Sequence, residues 1–396
     1  FREFVKILSN PEFQDLSSIP NAYEKVFFLV RKLYEIGEIG KAYRLIENLD
    51  INKISSNDNL EYFYLIQLNY LFSTFKLSDA CELKNLLYEE VLNFPKNLLE
   101  KSDIFCLVLE NRLSEARLLN SILLESELEK DENFQKLFNY MTSDEISKSD
   151  FNSIKEVKFK ELIFLYSAML RINELPLDED FINIDSLNLS IPVILSNATK
   201  MDIRIKAANR AFFDELISID SLAALYQSVD FNSQDLISPD QTVISLNNND
   251  ELIMAFYYQL VNIQIFPDQR LEVIMDYWKF AKDVGLEKIA YAITKNIINK
   301  FDPTTENTNY GIEIALAHIS NQNYEEAIKW ISLLEASNIN DSRIGYLKFL
   351  IDLNETNKLD TIINYLSVNY KNLDKISNQN VLETLDVLMN FLKIEN

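Results

Sequence analysis

Few side chains in this sequence could carry nucleophilic or metal chemistry. His318 is the only histidine among the 396 residues. One histidine cannot both activate a nucleophile and supply the group that orients it, and it cannot build a histidine-rich metal site. His318 lies beside Ala315 and Ala317 on a predicted helix, so we interpret it as a packing residue or as part of a binding groove.

Cys81 and Cys106 are the only two cysteines of the chain. Cys81 lies 13 residues before Phe94 and Cys106 lies 12 residues after it, so two antiparallel helices that turn near Pro95 would bring both sulfurs to one level. In an oxidising compartment this arrangement permits a disulfide. The alternative interpretation is two buried free thiols.

Carboxylates are abundant, so close pairs of them are expected by chance. The chain has 61 acidic and 38 basic residues, which gives a net charge of −23. Glu325-Glu326 and Asp178-Glu179-Asp180 are therefore interpreted as solvated faces, and the second run lacks the spacing and the glycine of a calcium-binding loop. A surface of this sign repels phosphate backbones. We predict no metal site and no nucleic-acid partner.

Glycine is scarce, which argues against a cofactor-binding fold. The chain has 5 glycines in 396 residues, whereas an average protein has about 7%. Phosphate-binding loops need glycine, so we predict no cofactor and no enzymatic activity. The remaining catalytic alternative is an enzyme that acts on glycans through paired carboxylates. Only Trp278 and Trp330 are available as tryptophans for sugar stacking, and this shortage counts against that alternative.

Alanines recur along the chain at a spacing typical of helical repeats. Ala42, Ala80 and Ala116 follow one another at intervals of 38 and 36 residues, and Ile362 follows Ala327 after 35 residues. Each occupies the same position after a short polar turn. A period in this range is typical of stacked helix pairs, each of which buries its apolar face against its neighbours. We therefore predict an all-α fold, a solenoid of helix pairs.

The repeat pattern is interrupted in the middle of the chain. Within the interruption, Ile182–Leu189 alternates loosely and is predicted to be extended, whereas Lys200–Ser218 is predicted to be an amphipathic helix. Ser238–Asp240 and Asn247–Asp250 are predicted loops. The expected organisation is an N-terminal helical-repeat array at 1–173, an irregular helical segment at 174–250 and a C-terminal array at 251–396.

The C-terminal array resembles the tetratricopeptide-repeat family. In the unit at 311–344, Ala315 occupies the small position of the first helix, Tyr324 is the tyrosine of the turn, and Ala327 is the small position of the second helix. Small side chains are needed there because two helix backbones approach closely. The proline expected after the second helix is replaced by Ile339.

The N-terminal array carries a similar match at Gly37, Ile39 and Ala42. Taken together, the tetratricopeptide-like segments cover about two thirds of the chain. The resemblance implies a tetratricopeptide-like superhelix of helix pairs in two arrays, with a concave surface that binds proteins or peptides.

A second resemblance concerns the cell compartment. Ile205–Phe212 followed by Asp220–Tyr226 is similar to a stretch in large exported helical-repeat proteins of alphaproteobacteria, some of which are implicated in cell-envelope integrity. This resemblance implies a periplasmic protein, and a cytoplasmic one is the alternative. No apolar run reaches the ~20 residues that a membrane-spanning helix needs. The chain begins at Phe1 rather than Met, which predicts a processed or truncated polypeptide from which any signal peptide has been removed.

The concave face of such an array is formed by the first helices of successive pairs. In the C-terminal array these are predicted to be Gln269–Ala281, Ile312–Ser320 and Ser342–Leu353. Aromatic anchors mixed with cations would suit an extended peptide or an acidic segment of a partner protein; alternatively, the two tyrosines are half-buried packing residues. The candidate partner-binding residues are Tyr277, Lys279, His318, Arg343 and Tyr346.

The expected function is therefore that of a non-enzymatic scaffold that binds proteins and supports the assembly or integrity of the cell envelope. An intracellular trafficking or regulatory scaffold is the main alternative.

Overall fold

The computed structural model describes most of the chain between residues 22 and 355. The described residues are 22–35, 38–47, 49–90, 94–126, 131–143, 154, 160–177, 179, 183, 186–246, 249–339 and 341–355. The repeat copy at Ile362, the predicted helices beyond it, Gly37, Asp178 and Asp180 lie outside these residues.

Every regular element in these described ranges is a helix, so the all-α prediction is confirmed for them. Within these ranges, short 3-10 helices occur at Ile51–Lys53, Lys160–Leu162 and Thr305–Tyr310. The α-helices are α1 (Ala22–Glu35), α2 (Ile39–Ile46), α3 (Asn57–Ser73), α4 (Leu77–Glu90), α5 (Lys96–Leu109), α6 (Leu113–Ser126), α7 (Glu132–Thr142), α8 (Ile163–Ile172), α9 (Ser186–Ile194), α10 (Met201–Phe213), α11 (Ile219–Gln227), α12 (Ser233–Ile237), α13 (Pro239–Ser245), α14 (Asp250–Ile263), α15 (Pro267–Asp283), α16 (Glu287–Ile293), α17 (Lys295–Ile298), α18 (Gly311–Ser320), α19 (Tyr324–Ala336) and α20 (Ser342–Glu355).

Two local predictions for the middle segment are wrong. α9 occupies Ser186–Ile194, where an extended stretch was expected to end at Leu189. The predicted loop at Ser238–Asp240 is instead the junction of two short helices. Asn232 and Asp235 form a capping box that starts α12, and Pro239 occupies the first turn of α13, where its missing N–H costs nothing.

The chain divides into two compact units, residues 1–225 and 226–396. We call them unit 1 and unit 2. The division falls inside the segment 174–250 that the sequence pattern set apart.

In unit 1, α3 is the central helix. It packs against α1, α2 and α4, which are its neighbours in the chain, and also against α8 and α9, which follow much later. Its residues Phe63–Ile66, Leu68 and Phe72 are buried, so little of its circumference faces solvent. α8 is buried to the same degree, since all residues of Ile163–Leu170 are buried. A helix that is apolar all round belongs in the interior of a bundle rather than on one side of an array.

Arg171, on α8, links that helix to the end of α3. Its Nη1 donates a hydrogen bond of 3.1 Å to the carbonyl oxygen of Ser73, and its guanidinium lies 4.3 Å above the ring of Phe75. Burial lowers the pKa of Arg171 to about 10. The contact joins residues 98 positions apart. In a strict array each pair contacts only its neighbours, so unit 1 departs from that pattern.

In unit 2, packing follows the order of the chain. α14 packs on α15 and α16, α16 packs on α18, and α18 packs on α19 and α20. Polar links follow the same order: Asn321 at the turn after α18 donates to the carbonyl oxygen of Tyr291 in α16 at 2.9 Å. At the first end of the unit, Gln259 donates to the carbonyl oxygens of Tyr226 and Val229.

The alanines of the repeat pattern lie where helices approach each other. Tyr324, at the start of α19, is partly exposed. The repeat alanines are completely inaccessible, namely Ala42, Ala80, Ala116, Ala315 and Ala327.

One backbone turn recurs at the ends of helices in both units. The residue after the helix adopts a positive φ, as at Asn111 (60°) and Gln322 (59°), and the next N–H returns to the carbonyl oxygen of a residue in the last turn. For example, the N–H of Asn323 donates to the carbonyl oxygen of His318 at 2.8 Å. Gly285 has this positive φ, which glycine adopts without strain. The described residues that carry a side chain and have the same positive φ are Phe75, Asn111, Glu174, Glu215, Gln322 and Asn338.

Candidate interaction surface

Tyr277 is not a surface residue. Its side chain is 0% exposed, and its ring stacks on Tyr257 with centroids 5.9 Å apart. The prediction that it faces outward is wrong because Tyr277 continues the stripe of Ile274 and Ala281, which faces the neighbouring helices. Burial raises the pKa of Tyr277, and its hydroxyl has no hydrogen-bond partner among the described residues.

His318 is also buried, with 1% of its surface exposed. It follows Ile314, Ala315 and Ala317 on the packed side of α18, so its prediction as an outward-facing residue is wrong and the packing interpretation holds. Its Nδ1 lies 3.5 Å from Nδ2 of Asn323 in the turn to α19. Burial lowers the pKa of His318, so the neutral imidazole is favoured in the folded protein.

Lys279, Arg343 and Tyr346 are exposed. Tyr346 is 46% exposed and is the aromatic candidate that remains available at the surface. Arg343 is already engaged: it forms ion pairs with Asp341 at 2.8 Å and with Glu313 at 3.2 Å. Hydrogen bonds from Arg343 lower the pKa of Asp341, and the same contact raises the pKa of Arg343.

The helices that line one side of unit 2 differ from those predicted. Gln269–Ala281 was assigned to the same row as Ile312–Ser320 and Ser342–Leu353. In the structure the row runs through α14, α16, α18 and α20, each packed on the next, whereas α15 pairs with α14 and α16. The assignment failed because α14 is itself the first helix of a pair, which shifts the register of first and second helices by one. Lys279, on α15, therefore does not belong to the row that carries Arg343 and Tyr346.

Glu287 and Tyr291 were missed by the sequence analysis. They lie four residues apart on α16, in the row just described, so they share one side of that helix. Tyr291 is 4% exposed. Burial is the main cause that raises its pKa, and the negative charges of Glu313 and Glu287 raise it further. The spacing of four residues was the available signal, but it is common in a chain so rich in Glu.

The structure joins Cys81 of α4 to Cys106 of α5 in a disulfide, with Cα atoms 5.6 Å apart. Three residues further along α4, Lys84 pairs with Asp103, which lies three residues earlier on α5. Both links follow one antiparallel register, in agreement with the spacing around Phe94. Of the two alternatives for the cysteines, the structure contains the bridge.

A buried ion pair in unit 1 was also missed. Nζ of Lys101 lies 3.0 Å from Oδ2 of Asp131, and the two side chains are 0% and 5% exposed. The hydroxyl of Tyr166 donates to the same carboxylate, whose Oδ1 accepts the N–H of Phe134 at 3.1 Å and so caps α7. Charges this deeply buried are found paired because an isolated one is very costly. The cluster links α5, α7 and α8 to one another. It could not be predicted from the sequence because its members lie about 30 residues apart and form no local pattern.

Within the described residues, no group of three or more His, Cys, Asp or Glu side chains could hold a metal ion. The helices of the same ranges include none that combines the length and the apolar composition of a membrane span.

Comparisons of the chain with protein-family models, with curated proteins and with solved structures find no match. The tetratricopeptide resemblance therefore rests on the alanine and tyrosine positions already described.

Proposed function

We propose that this protein is a non-enzymatic scaffold that binds proteins or peptides through a tetratricopeptide-like array in unit 2. The supporting observation is the row of α14, α16, α18 and α20, in which each helix packs on the next. Such a row presents a continuous surface that single helix pairs lack. Tyr346 supplies an exposed aromatic side chain on it, and tyrosine is enriched among the residues that dominate binding energy at interfaces.

Burial counts against the catalytic alternative. His318, the only histidine, is 1% exposed and therefore has no access to a substrate as a general base. Trp278 and Trp330 are 3% and 0% exposed, so neither is available to stack on a sugar ring. A glycan-acting enzyme would need such a platform beside its carboxylates.

We place the scaffold in the periplasm, where it supports the assembly or integrity of the cell envelope. The Cys81–Cys106 bridge supports this location because disulfides persist in oxidising compartments and are rare in the cytosol. The test is alkylation of free thiols in intact cells of the source organism, followed by fractionation. We expect the protein in the periplasmic fraction with both thiols protected until a reductant is added. Free thiols in a cytosolic fraction would favour the intracellular scaffold instead.

The binding function is tested by capture of partners from a native envelope extract. We compare the parent with Tyr346→Ala and with Ile328→Ala, which removes an exposed apolar side chain (44% exposed) from α19, outside the row. The proposal predicts that Tyr346→Ala loses the partner and Ile328→Ala keeps it, with both variants folded. Equal retention by all three proteins would show that this row is not the binding surface.

A further inference from the structure

The two cysteines of the disulfide differ in their access to solvent. Cys106 is 1% exposed and lies within Ile104–Leu107, a run of residues that are all buried. Cys81 is half-buried. It shares one side of α4 with Ser78, three residues before it, and with Asn85, four residues after it, and both of these are exposed. A molecule in solvent therefore reaches the bridge along α4, from the side of Cys81.

This difference decides which sulfur can take part in thiol–disulfide exchange. An incoming thiolate attacks one sulfur of a disulfide, forms a mixed disulfide with it and releases the other sulfur as a thiolate. Attack on Cys106 requires local opening of α5, because its surroundings are inaccessible in the folded protein. Attack on Cys81 from the exposed side of α4 requires no such opening.

The second sulfur stays close when the bridge is cleaved. Lys84 on α4 and Asp103 on α5 form an ion pair of 2.5 Å, which keeps the two helices in register independently of the disulfide. The Cα atoms of Cys81 and Cys106 are 5.6 Å apart in this register. The thiol of Cys106 is thus positioned to attack a mixed disulfide on Cys81 and to displace the attached group.

We propose that a thiol–disulfide oxidoreductase acts on this protein through Cys81, and that Cys106 is the resolving cysteine. The Cys81 thiolate attacks the disulfide of the oxidoreductase, forms the mixed disulfide and releases one enzyme thiolate. The Cys106 thiolate then attacks the Cys81 sulfur and releases the second enzyme thiolate. The chain loses two electrons and two protons, and the enzyme disulfide becomes a dithiol. The assignment goes beyond the scaffold function and does not depend on it.

The test uses the oxidised full chain and a dithiol oxidoreductase whose second active-site cysteine has been replaced by serine. The remaining cysteine attacks a disulfide, and the enzyme cannot resolve the mixed disulfide itself. After an acid quench, peptide mass spectrometry identifies the attached cysteine. We expect about tenfold more complex through Cys81 than through Cys106 in the folded protein, and equal amounts in urea. Complex mainly through Cys106, equal amounts in the folded protein, or no complex would overturn the proposal.

Asn85→Trp tests the route along α4 with the bridge intact. A large side chain one turn beyond Cys81 narrows the access to its sulfur, so the complex should form about two- to fivefold more slowly. The matched control is Leu86→Trp, because Leu86 is 50% exposed on another side of the same helix and its replacement should leave the rate unchanged. Circular dichroism checks that both variants are folded. Equal rates in the two variants would overturn the assignment of this route.

Discussion

Unit 1 and unit 2 are both built from short helices joined by the same turn, yet they are stabilised in different ways. In unit 1, α3 contacts helices from both ends of the unit, and Arg171 ties α8 to the end of α3. In unit 2, contacts join helices that are close in the chain. The difference lies in whether a later apolar helix packs on an earlier one, as α8 does on α3 in unit 1.

The largest effect on stability is expected from removing a buried charge in unit 1. Asp131→Asn removes the charge that compensates Lys101 but keeps an oxygen that can cap α7. We expect the free energy of unfolding to fall by about 3–5 kcal/mol, because the fully buried ammonium of Lys101 loses a carboxylate that lies 3.0 Å away. Urea unfolding followed by circular dichroism measures it.

The control for this variant is Asp103→Asn. Asp103 pairs with Lys84 but is 22% exposed, so water replaces much of the lost interaction and a smaller effect is expected. A loss below about 1 kcal/mol for Asp131→Asn would mean that the cluster does not hold unit 1 together.

Loss of the disulfide is the next largest effect, and it sharpens the comparison because it acts within unit 1. The bridge closes a loop between residues 25 positions apart. We expect Cys81→Ser with Cys106→Ser to lower the free energy of unfolding by about 2–4 kcal/mol.

Tryptophan fluorescence separates the two units in this experiment, because Trp278 and Trp330 are the only tryptophans and both belong to unit 2. The circular dichroism transition should shift in the double variant while the tryptophan transition stays. Reductant should have the same effect on the parent and none on the variant. Equal shifts of both signals would show that the units do not unfold separately.

In unit 2, overpacking tests the close approach of helices. Ala327 is 0% exposed, and Ala327→Leu should cost about 1–3 kcal/mol because the larger side chain wedges α19 away from its neighbours. The matched control is Ala336→Leu, an exposed position at the end of the same helix, which should change little. An unchanged tryptophan unfolding midpoint for Ala327→Leu would contradict the packing described for this pair.

The shared turn gives smaller effects of opposite sign. Gly285 has φ of +74°, and a Cβ added there meets nothing within 4 Å, so Gly285→Ala should cost about 1 kcal/mol through the backbone alone. Gln322→Gly, at φ of 59°, relieves the same strain and should gain up to about 1 kcal/mol. Thermal unfolding of the two variants checks the pair, and a stabilised Gly285→Ala would refute the assigned turn.

Because of His318, the stability of the protein should fall slightly in acid. Its pKa is lowered in the folded state, so below about pH 6.5 the unfolded chain binds more protons and stability falls. His318→Gln should weaken this decline of the tryptophan midpoint between pH 7 and pH 5, and the same slope in both proteins would contradict it.

Much of the fold could be predicted from the sequence, because helix formation and the small alanine positions depend on nearby residues. Ala315 and Ala327 could be assigned to the small positions of their helices because that assignment uses only the spacing within one helix pair. The return of α8 to α3 could not be predicted, since nothing near Arg171 identifies Ser73 as its partner. The predicted binding residues Tyr277 and His318 are wrong for a related reason. Both have polar atoms, but each lies on the face of its helix that packs against neighbouring helices, and that position decides its burial. Arg343 was correctly placed at the surface, but its carboxylates were not foreseen.

Native-state hydrogen exchange resolved by peptide is the most direct test of the difference between the two units. We predict that peptides from α3, α5 and α8 share one free energy of opening, because the closed contacts of unit 1 must break together. Peptides from α14, α16, α18 and α20 should instead open with graded free energies, as nearest-neighbour stacking allows. A graded series in unit 1, or one shared value along unit 2, would contradict the account.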